Sequence, residues 1–191
     1  MRMEPPEGGS TMFEYDAVLN SVFLNFYGTL WSEGKLDQGT KEVERIRSAR
    51  AVGCETCRNL RFSGAQEQGL TEADVNLLED SYAESALSDR WKAALAWSDA
   101  VTGAPRMDAP KLRDAVAREF SGPEFAELTL QAGLAVAFAK AMVAWGPQPE
   151  LPVTTIPTPT PGWVTPWEVG FDDEGHANPV VKFETPEATQ L

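Results

Sequence analysis

Cys54 and Cys57 are the only two cysteines in this 191-residue chain, and they stand as Cys54-Glu55-Thr56-Cys57 with Arg58 and Arg61 close behind. In a helix, side chains three or four positions apart share a face. The two sulfurs are then neighbours, within reach of a disulfide where local geometry permits. Arg58 falls one turn after Cys54 and Arg61 one turn after Cys57, so each sulfur has a guanidinium on its own face. A nearby cation favours thiolate over thiol, and the thiolate is the reactive form. If Cys54 opens the helix, the helix N-terminus favours a thiolate there as well. Glu42 lies twelve positions before Cys54. Taken alone, it reads as an exposed helix carboxylate paired with Arg45.

Zinc is the main rival for such a pair. It needs three or four ligands, however, and the chain offers two Cys and one His, His176 near the C-terminus. No resident metal or other cofactor is expected beyond a redox-active Cys54–Cys57 disulfide. A zinc site shared between subunits and an inert, buried CxxC remain as alternatives.

Charge narrows the classes further. The net charge is −13, from 29 acidic and 16 basic residues. Such a surface repels phosphate backbones and anionic lipid, so neither nucleic acid nor membrane is an expected partner. Residues 36–62 are the exception at +2, and both cysteines lie there. Arg45, Arg47 and Arg50 are expected to decorate a solvated helix face. Met1 to Ser10 has no apolar core of signal-peptide length. A cytoplasmic location is expected, where a CxxC is more often redox-active than a structural staple.

The elements that must position these residues are helical. Apolar residues recur at helical spacing from Phe13 to Trp31. Thr40 can cap a second helix that runs to Val52, where Gly53 breaks the pattern. One helix is expected from Cys54 through Phe62 to about Gln68. Thr71 with Asp74, Ser88, Asp108 with Pro110, and Ser121 with Glu124 mark four more helix starts. The last of these opens an apolar helix that Gly146-Pro147 stops. Its Glu127, Gln131 and Lys140 fit a buried helix rather than a membrane span. The result is an all-α bundle of about six to seven helices over residues 13–146, after a flexible start at residues 1–12.

Residues 147–191 hold 9 of the 14 prolines. They are expected to form an extended arm. Trp163, Val164, Trp167, Val169 and Phe171 are too apolar for a solvated tail. The arm is therefore expected to dock on its own subunit or on a neighbour.

The run from Leu36 through Glu42 to Gly53-Cys54-Glu55-Thr56-Cys57 resembles the carboxymuconolactone decarboxylase/alkylhydroperoxidase D family, in which a glutamate lies twelve positions before a CxxC. Phe26-Tyr27-Gly28-Thr29-Leu30-Trp31, Gly69-Leu70-Thr71 and Glu127-Leu128-Thr129-Leu130 are similar to family features. The resemblance covers about residues 13–146 and is strongest over 36–71. It implies a dithiol that reduces hydroperoxides, with Cys57 as the attacking sulfur, Cys54 as the resolving one and Glu42 heading a proton relay. It also implies a homotrimer or homohexamer. Helix electrostatics favours Cys54 as the low-pKa thiol, so the two arguments disagree. Arg61 and Thr56 stand where the alkylhydroperoxidase D branch has histidines. Arginine can stabilise a thiolate but cannot act as a base near neutral pH, which leaves proton transfer to Glu42, directly or through water. Tyr27, Trp31 and Phe62 are candidates to line an apolar substrate pocket.

Three classes of function stay open. The first is a thiol-dependent peroxidase or disulfide oxidoreductase, served by a thiol reductant protein or a small thiol. The second is a non-redox lyase or isomerase acting on a small organic acid or lactone. The third is a non-catalytic, oligomeric redox sensor. The CxxC favours the first, since decarboxylases of this kind do not depend on one.

Overall fold

The computed structural model describes residues 12–148 and 151–161. A short 3₁₀ turn leads into α1 (Ala17–Ser32), which Asp16 caps by accepting from the Leu19 amide at 2.9 Å. Next come α2 (Gln38–Val52), α3 (Glu55–Asn59), β1 (Leu60–Phe62), α4 (Ser63–Glu67) and α5 (Glu72–Val75). Three longer helices follow, α6 (Asp89–Thr102), α7 (Ala109–Glu119) and α8 (Gly122–Ala144), and then β2 (Thr154–Ile156). The fold is all-α with one two-stranded exception.

Most helix starts lie where side-chain chemistry puts them. Thr71–Asp74 and Ser121–Glu124 form reciprocal capping boxes, while Ser88 and Asp108 cap α6 and α7. The cap of α2 is Asp37 rather than Thr40, because its carboxylate takes both the Thr40 amide and the Thr40 hydroxyl. Gly53 ends α2 in the left-handed region at φ 81°, which costs glycine little.

α2 is the axis of the bundle, packed along both α6 and α8. All of its residues from Gly39 to Ala49 are buried, although most of them are charged or polar. The expected solvated face is absent, since Arg45 and Arg47 are buried and Arg50 is partly so. The buried cations are each met by a carboxylate, while Glu44 accepts from the Ser48 hydroxyl. Arg45 pairs with Glu42, and Lys41 pairs with Glu127 of α8 at 2.7 Å. Arg47 reaches Asp99 of α6 at 2.7 Å and Asp80 at 3.0 Å. Burial of cations in this way is tolerated where each is paired and hydrogen-bonded. α8 has the length and composition of a membrane-spanning helix, but it packs on α2 and α6 and carries the Glu127 partner of Lys41.

The expected single helix over residues 54–68 is instead α3, β1 and α4. Leu60–Phe62 pairs in parallel with Thr154–Ile156, Arg61 opposite Thr155. The strand exists because residues 151–161 of the arm supply its partner, ninety-four positions away. Trp31, Leu60, Phe62 and Ile156 close over the seam as a small core of their own, with Tyr27 and Leu151 packed against it. A Cβ on Gly28 would collide with the backbone of Thr160 and Pro161, so only glycine lets the arm lie this close to α1. Trp163, Val164, Trp167, Val169, Phe171 and residues 1–11 of the expected flexible start at 1–12 lie outside the described residues, while Met12 opens the 3₁₀ turn.

Candidate active site

The site starts where α2 stops. The amide of Gly53 donates to the carbonyls of Ala49 and Arg50, and the amide of Cys54 donates to Ala49. This turn delivers Cys54 to the N-cap of α3, with its sulfur 3.3 Å from the amide of Cys57. The two cysteines form a disulfide, their Cα atoms 5.3 Å apart. Cys54 is fully buried among Ala49, Ala139 and Met142, whereas Cys57 is partly exposed. The sulfurs therefore differ in access, and Cys57 is the one that an incoming molecule can reach.

Glu42 sits below them with no exposed surface. Its two oxygens receive Nε and Nη2 of Arg45 at 2.8 Å each, and Oε1 also accepts from the Phe62 amide at 3.0 Å. Arg45 in turn donates to the carbonyls of Cys57 and Leu60. Its guanidinium lies 4.8 Å from the Phe62 ring centroid. Glu42 thus reaches the CxxC segment through Arg45, with both carboxylate oxygens already engaged.

Arg61 is placed differently from its sequence expectation. It lies on β1, so the four-residue spacing does not put it on a helical face with Cys57. Its guanidinium pairs with Glu72 at 2.7 Å and donates to the carbonyls of Arg58 and Leu60. Arg58 pairs with Glu55 at 2.7 Å on the surface. Thr56 is buried, and its hydroxyl finds no hydrogen-bond partner among the described residues.

Tyr27, Trp31 and Phe62 do come together, but under the arm. The Trp31 and Phe62 rings meet edge to face with centroids 4.5 Å apart, and Tyr27 lies 6.2 Å from Trp31. Burial pushes the Tyr27 hydroxyl up to about 12, despite the opposing pull of Arg45. Beside the CxxC lies a separate cleft of about 330 Å³, lined by Gly53, Glu55, Val143, Gly146, Pro147 and Gln148. Gln148 was not a sequence candidate. Its side-chain oxygen accepts the Thr56 amide at 2.9 Å and lies 3.5 Å from the Cys54 sulfur. It follows the Gly146-Pro147 stop, and no motif marks it. No cluster suited to holding a metal ion occurs among the described residues.

An all-helical bundle whose buried central helix ends at a CxxC disulfide has the fold of alkylhydroperoxidase D-like proteins. A crystal structure from Agrobacterium tumefaciens shares this fold with a TM-score of 0.54 and 21% identity, over 71% of this chain and 93% of that one. That protein is of unknown function and has been put forward as an antioxidant defence protein, AhpD. Residues 18–100 match the model of the carboxymuconolactone decarboxylase family, a stretch that takes in most of α1, the CxxC and most of α6. An uncharacterized Mycobacterium tuberculosis protein, found in strains CDC 1551 / Oshkosh and ATCC 25618 / H37Rv, is 32% identical over 109 residues. The match covers 57% of this chain and 38% of each relative, so it spans well under half of their length.

Proposed function

We propose that the protein is a thiol-dependent peroxidase that reduces hydroperoxides through Cys57 and Cys54. The observation that carries this reading is the disulfide itself, which joins a buried sulfur to a more accessible one. In the reduced protein the Cys57 thiolate attacks the outer oxygen of a hydroperoxide. The O–O bond breaks, Cys57 becomes a sulfenic acid, and the alkoxide leaves as the alcohol after taking a proton. The Cys54 sulfur then attacks the Cys57 sulfur. Its proton leaves with the displaced hydroxide as water, and the disulfide forms. A thiol reductant protein or a small thiol restores the dithiol by exchange.

In this reading Glu42 acts by position. It fixes Arg45, which fixes the carbonyl of Cys57 and with it the attacking sulfur. Arg61 is a scaffold residue that ties β1 to α5 through Glu72, and Tyr27, Trp31 and Phe62 form the floor on which the arm rests. We place the enzyme in the cytoplasm as a homotrimer or homohexamer. The exposed stripe of Tyr15 in the 3₁₀ turn and Val18, Leu19, Val22 and Phe26 on α1 supports an assembly. Light scattering that returns a 20.9 kDa monomer contradicts that assembly.

Trapping the intermediate tests the reaction. Cys54→Ser with one equivalent of hydroperoxide and dimedone is expected to carry a dimedone adduct on Cys57 by mass spectrometry. Absence of that adduct, under conditions where Cys57→Ser traps one on Cys54, reverses the assigned roles. Absence of an adduct on either variant removes the peroxidase reading.

A further inference from the structure

We infer that Gln148 is a positioning residue for this thiol chemistry, its side-chain carbonyl holding Cys54 as a neutral thiol in the reduced protein so that Cys57 is the attacking sulfur. The inference rests on the proposed thiol function and names the residue that divides labour between the two sulfurs. Sequence reasoning left that division open, because helix electrostatics pointed to Cys54 and the family resemblance to Cys57.

One contact favours a Cys54 thiolate, the Cys57 amide 3.3 Å from its sulfur, and the others favour the thiol. Gln148 Oε1 lies 3.5 Å from the Cys54 sulfur and receives the Thr56 amide at 2.9 Å. The amide orientation follows from that second contact, because a backbone N–H needs an acceptor and only the oxygen provides one. Once the disulfide is reduced, a proton on Cys54 has this oxygen within hydrogen-bond reach of a sulfur donor. A hydrogen bond accepted from the neutral form favours the neutral form. The same oxygen occupies the Thr56 amide, which would otherwise be a donor available to a Cys54 thiolate. Desolvation acts in the same direction, since Cys54 has no exposed surface and packs against Ala49 and Val52 of α2 and Ala139 and Met142 of α8.

Among the described residues, the charged groups on the elements around the sulfur are already paired or exposed. On α3, Glu55 and Arg58 neutralise each other in an exposed pair. On α2, Arg45 is held by Glu42 and by the carbonyls of Cys57 and Leu60, and Arg50 by Glu79 and the carbonyl of Val75. On β1, Arg61 is held by Glu72. Lys140 of α8 is exposed. Cys57 has no such acceptor among the described residues and is partly open to solvent, so its thiolate is the less costly of the two.

The test is a pH titration of thiolate absorbance at 240 nm in Cys57→Ser, where Cys54 is the one remaining thiol. Wild-type Gln148 is compared in that background with Gln148→Leu and Gln148→Glu. The leucine variant removes the acceptor and frees the Thr56 amide, so the Cys54 pKa is expected to fall by about one unit or more. The glutamate variant keeps the shape and the Thr56 contact but adds negative charge, so the pKa is expected to rise by a similar amount. A residue that only supports the fold does not shift the titration in opposite directions. Unchanged values, or shifts of the same sign in both variants, overturn the inference. Should the leucine variant fail to fold, the isosteric glutamate variant decides alone. The titration does not depend on turnover. Opposite shifts without peroxidase activity sink the proposed function and leave the role of Gln148 standing, whereas activity without the shifts sinks Gln148 alone.

Discussion

Arg45→Met is expected to destabilise the protein by about 3–5 kcal/mol, the cost of removing one partner from a buried ion pair. The methionine keeps most of the stem volume, so the loss is electrostatic. Glu42 has no exposed surface, and without the guanidinium its carboxylate keeps only the Phe62 amide. The carbonyl of Cys57 loses the Arg45 donor at the same time, while that of Leu60 keeps Arg61. Urea unfolding monitored by circular dichroism measures the effect, and the melting temperature is expected to fall by roughly 10 °C for a chain of this length. Glu42→Gln in the Arg45→Met background removes the stranded charge and is expected to recover a substantial part of the loss. A loss below about 1 kcal/mol shows that water reaches Glu42 and that the pair does not anchor the CxxC segment.

Glu44→Gln is expected to act in the opposite direction, and only at the upper end of the pH range. Glu44 is fully buried on α2, and burial pushes its carboxyl up to about 7 against hydrogen bonds from Ser48 and Ser98 that favour the ionised form. Ser48 donates to Oε1 at 2.6 Å and lies 2.9 Å from the Ser98 hydroxyl, while Oε2 has no partner among the described residues. In the unfolded chain Glu44 titrates near 4.5. Between about 4.5 and about 7 the folded state therefore keeps a proton that the unfolded state has lost, and stability falls as the pH rises. Above that window the cost is complete, about 3 kcal/mol from a shift of that size. Glutamine carries no proton to lose. The variant is expected to be more stable than wild type by about that amount at pH 8 and close to it at pH 4. Chemical denaturation at the two pH values checks this, and an equal difference at both removes Glu44 as the source.

Four helix starts of this fold are legible in the sequence because each depends on residues three positions apart. The pairs Thr71–Asp74 and Ser121–Glu124 and the caps Ser88 and Asp108 lie where short-range chemistry requires them. What was not legible depends on partners far along the chain. Arg45, Arg47 and Arg50 look like a solvated face until α6 and α8 pack along α2 and Asp99 of α6 meets Arg47. Leu60–Phe62 looks helical until Thr154–Ile156 pairs with it, and that pairing moves Arg61 off the helical face that sequence spacing gave it. The CxxC was legible, and its pairing as a disulfide follows from spacing that survives the change in local structure. Gln148 was not, because a glutamine just after a helix stop carries no signal until the chain folds it against Cys54.

Hydroperoxide consumption with dithiothreitol as donor, followed in wild type, Cys57→Ser and Cys54→Ser, tests the central claim most directly. Wild type is expected to turn over many equivalents of peroxide per chain. Cys57→Ser is expected to consume peroxide only at the rate of the donor alone, and Cys54→Ser to be strongly slowed because its sulfenic acid has no resolving partner. Turnover that persists in Cys57→Ser at the wild-type rate, or a wild type no faster than dithiothreitol by itself, contradicts the assignment of peroxidase chemistry to this dithiol.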